Sequence, residues 1–234
     1  MTLENGPVSL YVRTNYRKLG WNEAVRMTSL GTALMIWPLL KLGPSHRDES
    51  LSYFPADLRE QVVDESTLEP DLLAELRTVE TDLQALGFER VACSTDRQSV
   101  VKGVNAVAAM HLRHPSRHLV AFVGCARKTA GGFQTYTSVG AWDAGAVFYG
   151  ITNQPPMDGP PQRKVRWLRA ATAIEVLDAM DRQLPYHRRQ PFAEEEMWEQ
   201  LAVAQWAQVS WRLSRGRFDR VPGPQTPQSH TALV

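Results

Sequence analysis

Three imidazoles lie within eight residues, at His111, His114 and His118, and two thiols, Cys93 and Cys125, flank them in sequence. Imidazole nitrogen and thiolate sulfur are the ligands that zinc takes. Spacing argues against a metal here. Residues 111 and 114 on one strand point to opposite faces, and His118 lies beyond a turn, so three ligands could converge only around a distorted hairpin end. No metal and no cofactor is expected. The same stretch holds one acid–base set. His111 and His118 could exchange protons near neutral pH, and Arg113 could hold an anion. That would be a hydrolase or transferase with its site at the hairpin ends; the plainer reading is a polar hairpin tip.

Arg163, Lys164, Arg166 and Arg169 surround Trp167, and Arg182, His187, Arg188 and Arg189 could join them if a nearby helix packs there. Such a run could grip phosphate, an acidic partner or a membrane surface. It would equally serve as a solvated strand edge that blocks aggregation. Lys128-Thr129-Ala130-Gly131-Gly132 has the composition of a phosphate-binding loop, but glycine should precede the lysine and a helix should follow it. A hairpin loop is expected instead. Arg113/His118 and Arg182/His187 have a spacing that resembles the Arg-x4-His motif of HEPN-type ribonucleases. That motif needs both residues on one helix. The first pair straddles a turn and the second straddles Pro185, so nothing is carried over. Asp143, Asn153, Asp158 and Asp181 stand near loop ends; Asp143 should shape its turn and Asp181 should face solvent.

The chain's charge is balanced, with 26 basic and 25 acidic residues among 234. Nucleic-acid binders carry a basic excess, so that partner class is not expected. Two cysteines make no disulfide framework, which points to a reducing cytoplasm. Five of seven tryptophans, Trp21, Trp37, Trp198, Trp206 and Trp211, lie outside the central region.

The elements that must position these groups follow from periodicity. Leu72, Leu76, Val79, Leu83 and Leu86 recur at helical spacing after Pro70, and Gly87-Phe88 supplies a left-handed stop, so 70–86 is a helix. Residues 103–113 alternate with period two, 119–126 is a continuous apolar run, and 133–142 is rich in Thr, Tyr and Val, so all three read as strands. Asp143-Ala144-Gly145 fits a hairpin loop with glycine left-handed, returning as strand 146–152. Residues 153–162 carry four prolines and form an extended loop. Thr172 and Glu175 cap a second helix, 172–184. Short loops imply antiparallel pairing, since a parallel return needs a crossover that the spacing cannot hold. The fold class is α+β: an antiparallel sheet of four or five strands, about residues 88–168, packed by helices 70–86 and 172–184, with added N- and C-terminal helices.

The ends are less regular. Residues 27–40 contain no charge. As a helix they reach about 21 Å, short of the roughly 30 Å hydrocarbon core. The plain reading is a buried helix. The alternative is a segment lying in a membrane surface, with Arg13, Arg17, Lys18 and Arg26 meeting head groups and Trp21 and Trp37 at the interface. A third helix is expected over 192–215, with Trp198, Leu201, Val209 and Leu213 inward, Trp206 and Trp211 on another face, and Arg212 matching the helix dipole. Residues 218–234 should be a disordered tail. The organisation is then an apolar helical segment 1–50, a central domain 51–190, a helix 191–217 and the tail. The function expected is a non-catalytic interaction or binding module, cytoplasmic, attached to a membrane through 21–42 in the alternative reading. A protein partner or self-association is expected, an inhibitor or immunity-type role being one form of it. The interaction residues would be Trp21, Trp37, Arg163, Lys164, Arg166, Trp206 and Trp211.

Overall fold

The structure is a computed structural model that describes residues 8–27, 30–42, 50–99, 101–156 and 158–223. In chain order the elements are β1 (Leu10–Thr14), α1 (Trp21–Met27), α2 (Leu30–Leu42), β2 (Ser52–Phe54), β3 (Val62–Val63), α3 (Pro70–Ala85), β4 (Glu89–Thr95), β5 (Val104–His114), β6 (Leu119–Lys128), β7 (Phe133–Trp142), β8 (Phe148–Thr152), β9 (Arg163–Trp167), α4 (Ala173–Gln183), α5 (Glu194–Ser214) and β10 (Phe218–Val221). Among the described residues these strands form two sheets, one of seven strands in the order β3-β4-β5-β6-β7-β8-β9 and one of three in the order β10-β1-β2.

The α+β class stands, but the sheet is larger than expected and mixed. Seven strands replace four or five, and β8 and β9 run parallel. The crossover that seemed absent is the proline-rich 153–162. A return beside β8 needs only enough chain to span a five-residue strand, about 17 Å. Ten extended residues cover about 33 Å. The prolines hold that stretch open, so it returns without a helix.

Two helices cover the first face. α3 buries Leu72, Leu76 and Leu83, and its end closes as expected: Gly87 has φ 90°, Gly87 N–H reaches Gln84 O at 2.9 Å and Phe88 N–H reaches Leu83 O at 3.1 Å. Thr172 and Glu175 cap α4 reciprocally, at 3.3 Å and 2.8 Å. Met110 and Leu112 of β5, Val123 and Cys125 of β6, Val139 of β7 and Ile151 of β8 meet these helices in one aliphatic core. Asp143 does shape its turn, accepting from Gly145 N–H at 2.9 Å and Val147 N–H at 3.0 Å. The left-handed residue there is Ala146, φ 57°, rather than Gly145, and β8 starts two residues later than expected.

The second face is covered too. α5 and the three-stranded sheet lie over it. Pairing runs across the expected boundaries at 50/51 and 217/218: β1 joins β2 on one side and β10 on the other. Order therefore extends into the segment read as a tail, where Phe218–Val221 is a strand, while 224–234 lies outside the described residues. Arg212 lies in the last turn of α5 as expected, but it does not face solvent. It is fully buried, and its Nη1 donates to Glu23 Oε1 of α1 at 2.9 Å.

The expectation of a buried 27–40 helix also needs correction. On α2, Ala33 is buried, but Leu34, Met35 and Leu39 are 61%, 70% and 69% exposed. Residues 28 and 29 lie outside the described residues. Trp37 stands edge-on to Trp21, centroids 5.5 Å apart, with Lys41 Nζ 4.3 Å above its ring. Among the described residues no helix is long and apolar enough to cross a membrane.

Candidate functional site: a cavity between the sheet and the C-terminal helix

Strand alternation decides what the second face presents. With Met110, Leu112, Val123 and Val139 on the helical face, their neighbours His111, Phe122, Tyr136, Ser138, Gly140, Phe148, Gly150, Thr152, Arg163 and Val165 must point the other way. All of them line one cavity of about 590 Å3. Its roof is α5, through Met197, Leu201, Ala204, Gln205, Gln208 and Val209; its rim includes Phe54 and Phe218 of the smaller sheet and Gln154–Pro156 of the crossover.

Glycines make the floor. A Cβ on Gly124 would lie 2.1 Å from the Tyr136 ring, and one on Gly140 would lie 2.3 Å from Phe148. Each glycine is therefore a slot into which the aromatic ring of the neighbouring strand lies down. That leaves space above the sheet which larger side chains would have filled.

The polar groups on this wall divide by whether they are already satisfied. Ser138 Oγ donates to Thr152 Oγ1 at 2.8 Å, and Thr152 Oγ1 accepts from Gln154 N–H at 3.1 Å. His111 Nε2 meets Ser94 Oγ at 2.8 Å, and the ring packs on Trp198 at 4.9 Å and Phe122 at 5.1 Å. Burial pushes His111 down to about 4, so it is neutral at physiological pH. A serine–histidine pair can generate a nucleophile when a third group orients the ring. The described residues place no carboxylate against this imidazole, so the pair is better suited to hydrogen bonding than to proton transfer.

Tyr136 and Arg163 are different. The Tyr136 hydroxyl has no hydrogen-bond partner among the described residues, and burial pushes it up to about 12. The Arg163 guanidinium has neither an ion pair nor a hydrogen bond among them; burial first, and then repulsion from Arg212, pulls it down to about 10. Arg163 also borders a second cavity of about 460 Å3, lined by Arg26, Asp158, Gly159, Lys164, Trp211 and Arg217. Glu23 bridges Arg212 at 2.9 Å and Arg217 at 2.7 Å, while Asp158 bridges Arg26 and, at 3.2 Å, Arg217. Burial raises the Asp158 carboxyl, but its contacts with Arg26 and Arg217 outweigh that and leave it below the ordinary value. Two carboxylates thus face four guanidiniums, and Arg163 is the one left over.

The residues singled out from sequence scatter. His111 enters the cavity. Arg113 pairs with Glu194 at 2.9 Å at the mouth of α5. His118, φ 52°, stacks on Tyr186 at 5.6 Å beside the β5–β6 turn. The three are not brought together as an acid–base set. His114 is buried against Phe88 at 5.2 Å. Of the basic run, Arg163 faces the cavity, Lys164 Nζ donates to Tyr149 Oη at 3.2 Å, and Arg166 is exposed. Asp181 does not stand free in solvent but holds Arg117 at 2.6 Å and Arg189 at 2.5 Å. Trp206 packs with Val12, Val209 and Phe218, and Trp211 lies between Arg215 and Arg217 at 5.4 Å and 5.1 Å. Among the described residues no cluster of three or more His, Cys, Asp or Glu could hold a metal. Sequence reasoning missed Tyr136 and the cavity itself. The signal was present in 119–126, whose unbroken apolar run marks a strand covered on both faces. Comparison with protein-family models, curated proteins and solved structures found no match to this chain.

Proposed function

We propose that the protein is a non-catalytic binding module that takes a small molecule into the cavity between the seven-stranded sheet and α5. The observation that carries this reading is a concave, aromatic-lined space of about 590 Å3 with two unpartnered polar groups on one wall. Ligand sites in proteins are mostly apolar hollows of about 300–1,000 Å3 with a few placed polar groups. A molecule that filled the cavity would give its aromatic and aliphatic lining dispersion contacts. The test is a titration with 1-anilinonaphthalene-8-sulfonate followed by tryptophan fluorescence, since Trp198 packs on His111 in the wall. Saturable binding by the native chain, lost in Ala204→Phe at an unchanged melting temperature, supports the reading. Equal binding by both rejects it.

A second reading rests on a different feature. The exposed side chains Leu34, Met35, Pro38 and Leu39 form an uncharged ridge on α2, with Lys18 and Lys41 close by. An apolar ridge beside cations suits an anionic membrane surface. Co-sedimentation with vesicles of mixed phosphatidylcholine and phosphatidylserine should then be salt-sensitive and abolished by Leu34→Asp with Leu39→Asp. Concentration-dependent dimerisation, lost in the same variant, would assign the ridge to a second copy instead.

A further inference from the structure

Arg163 of β9 separates the two cavities. On one side lie Phe148, Gly150 and Val165 and, farther along the sheet, Phe122 and Tyr136. On the other lie Arg26, Lys164, Arg217 and the ion-paired Asp158. The carboxylates in this neighbourhood are committed. Glu23, 2% exposed, serves Arg212 and Arg217 and also accepts the Asp158 N–H at 2.9 Å. Asp158 serves Arg26 and Arg217. Neither reaches Arg163.

Arg163 is half-buried where the two cavities meet, and a partly desolvated guanidinium with no anion or acceptor beside it is left with unused hydrogen-bonding capacity. Arginine in that state is the usual mark of a place where a carboxylate or phosphate arrives, because its fork of N–H groups fits two oxygens at once. Position adds to this. The charge sits on the edge strand β9, with Phe148 on β8 and Tyr136 on β7 lining the same cavity, so a ligand that satisfied it would carry its other end over Phe148 towards Tyr136. The nearby surplus of guanidiniums strengthens the attraction for a negative group and disfavours a cationic one.

We infer that Arg163 is the anchor for the anionic end of an amphipathic small molecule, a carboxylate or a phosphate, whose apolar body fills the aromatic-lined cavity. This rests on the cavity-binding reading above and adds the charge and polarity of the ligand to it. The Tyr136 hydroxyl, at the far end of the wall, supplies one further polar contact to the body.

The experiment compares decanoate, decyl phosphate and decanol as probes, titrated calorimetrically against the full chain and against Arg163→Gln and Arg163→Lys. For the native chain the better anion should bind at least about tenfold more tightly than decanol, as expected for a charge-assisted hydrogen-bonded pair. Arg163→Gln should erase that ratio, and Arg163→Lys should retain part of it. Which of the two anions carries the advantage identifies the head group. Equal binding of anions and decanol by the native chain overturns the anchor while leaving the cavity reading intact. Binding of none of the three overturns both. Should Arg163→Gln melt early, the salt dependence of the native chain decides: a ratio that falls as salt rises from 50 to 500 mM supports the anchor, and a constant ratio rejects it.

Discussion

The two faces of the seven-stranded sheet are built by the same strands and differ in almost everything else. One face carries leucines, methionine, small aliphatics and two buried thiols, closed by α3 and α4. The other carries rings, hydroxyls, an imidazole and a guanidinium, with glycines beneath them and α5 above. The first is filled and the second is hollow. A strand's alternation lets one sequence specify both, because each residue answers to only one side. The first face holds the larger buried cluster, and the second holds two smaller ones around the cavity.

The sharpest way to break this comparison is to truncate each face and measure unfolding in urea. Leu76→Ala, in the fully buried stripe of α3, should cost about 2–5 kcal/mol, since both transfer and a new void count against it. Phe122→Leu, beside space that already exists, should cost no more than about 1.5 kcal/mol. Equal losses would show that the second face is as tightly determined as the first.

Acid should strike the hollow face next hardest. The unfolded chain binds a proton to His111 near pH 6.5, whereas the folded chain resists until about 4. Stability from this group is therefore complete above pH 6.5 and is lost as pH falls towards 4, by up to about 3 kcal/mol. His114, on the other side of the strand, is lowered for the same first reason, burial, and acts in the same direction. Replacing His111 with Gln should flatten the decline between pH 6.5 and 4; an unchanged slope would transfer the effect to His114.

The smallest change should come from Tyr136→Phe. A hydroxyl with no partner contributes little when removed, so stability should move by less than about 0.5 kcal/mol. A loss above about 1.5 kcal/mol would reveal a partner that the resting geometry does not offer.

Legibility in the sequence followed locality. The α3 stripe with its Gly87 stop and the Thr172–Glu175 cap are decided within a few residues and formed as read; the Asp143 turn formed too, but with Ala146 rather than Gly145 left-handed. The parallel β8–β9 pair was misread because chain length was judged by the usual helical crossover, not by what extended prolines can span. α2 gave no usable pattern: it is apolar all round, so nothing along it marks a buried side. Arg212 looked like an ordinary cation at a helix end; only a glutamate from the opposite end of the chain makes it interior. Arg163 was noticed as one of a basic run, but its isolation from carboxylates depends on where Glu23 and Asp158 go, which no local spacing encodes. The hollow escaped notice because the close approach of the Tyr136 and Phe148 rings to Gly124 and Gly140 depends on strand register, which local spacing does not encode.

Asn15 and Asp219 hold one another across 204 positions, beside the pairing of β1 with β10. A polypeptide made from its amino end cannot form that contact until residue 219 has been added, whereas the seven strands of the larger sheet and the helices α3 and α4 all precede that point. The smaller sheet therefore closes only after every strand of the larger one has been made.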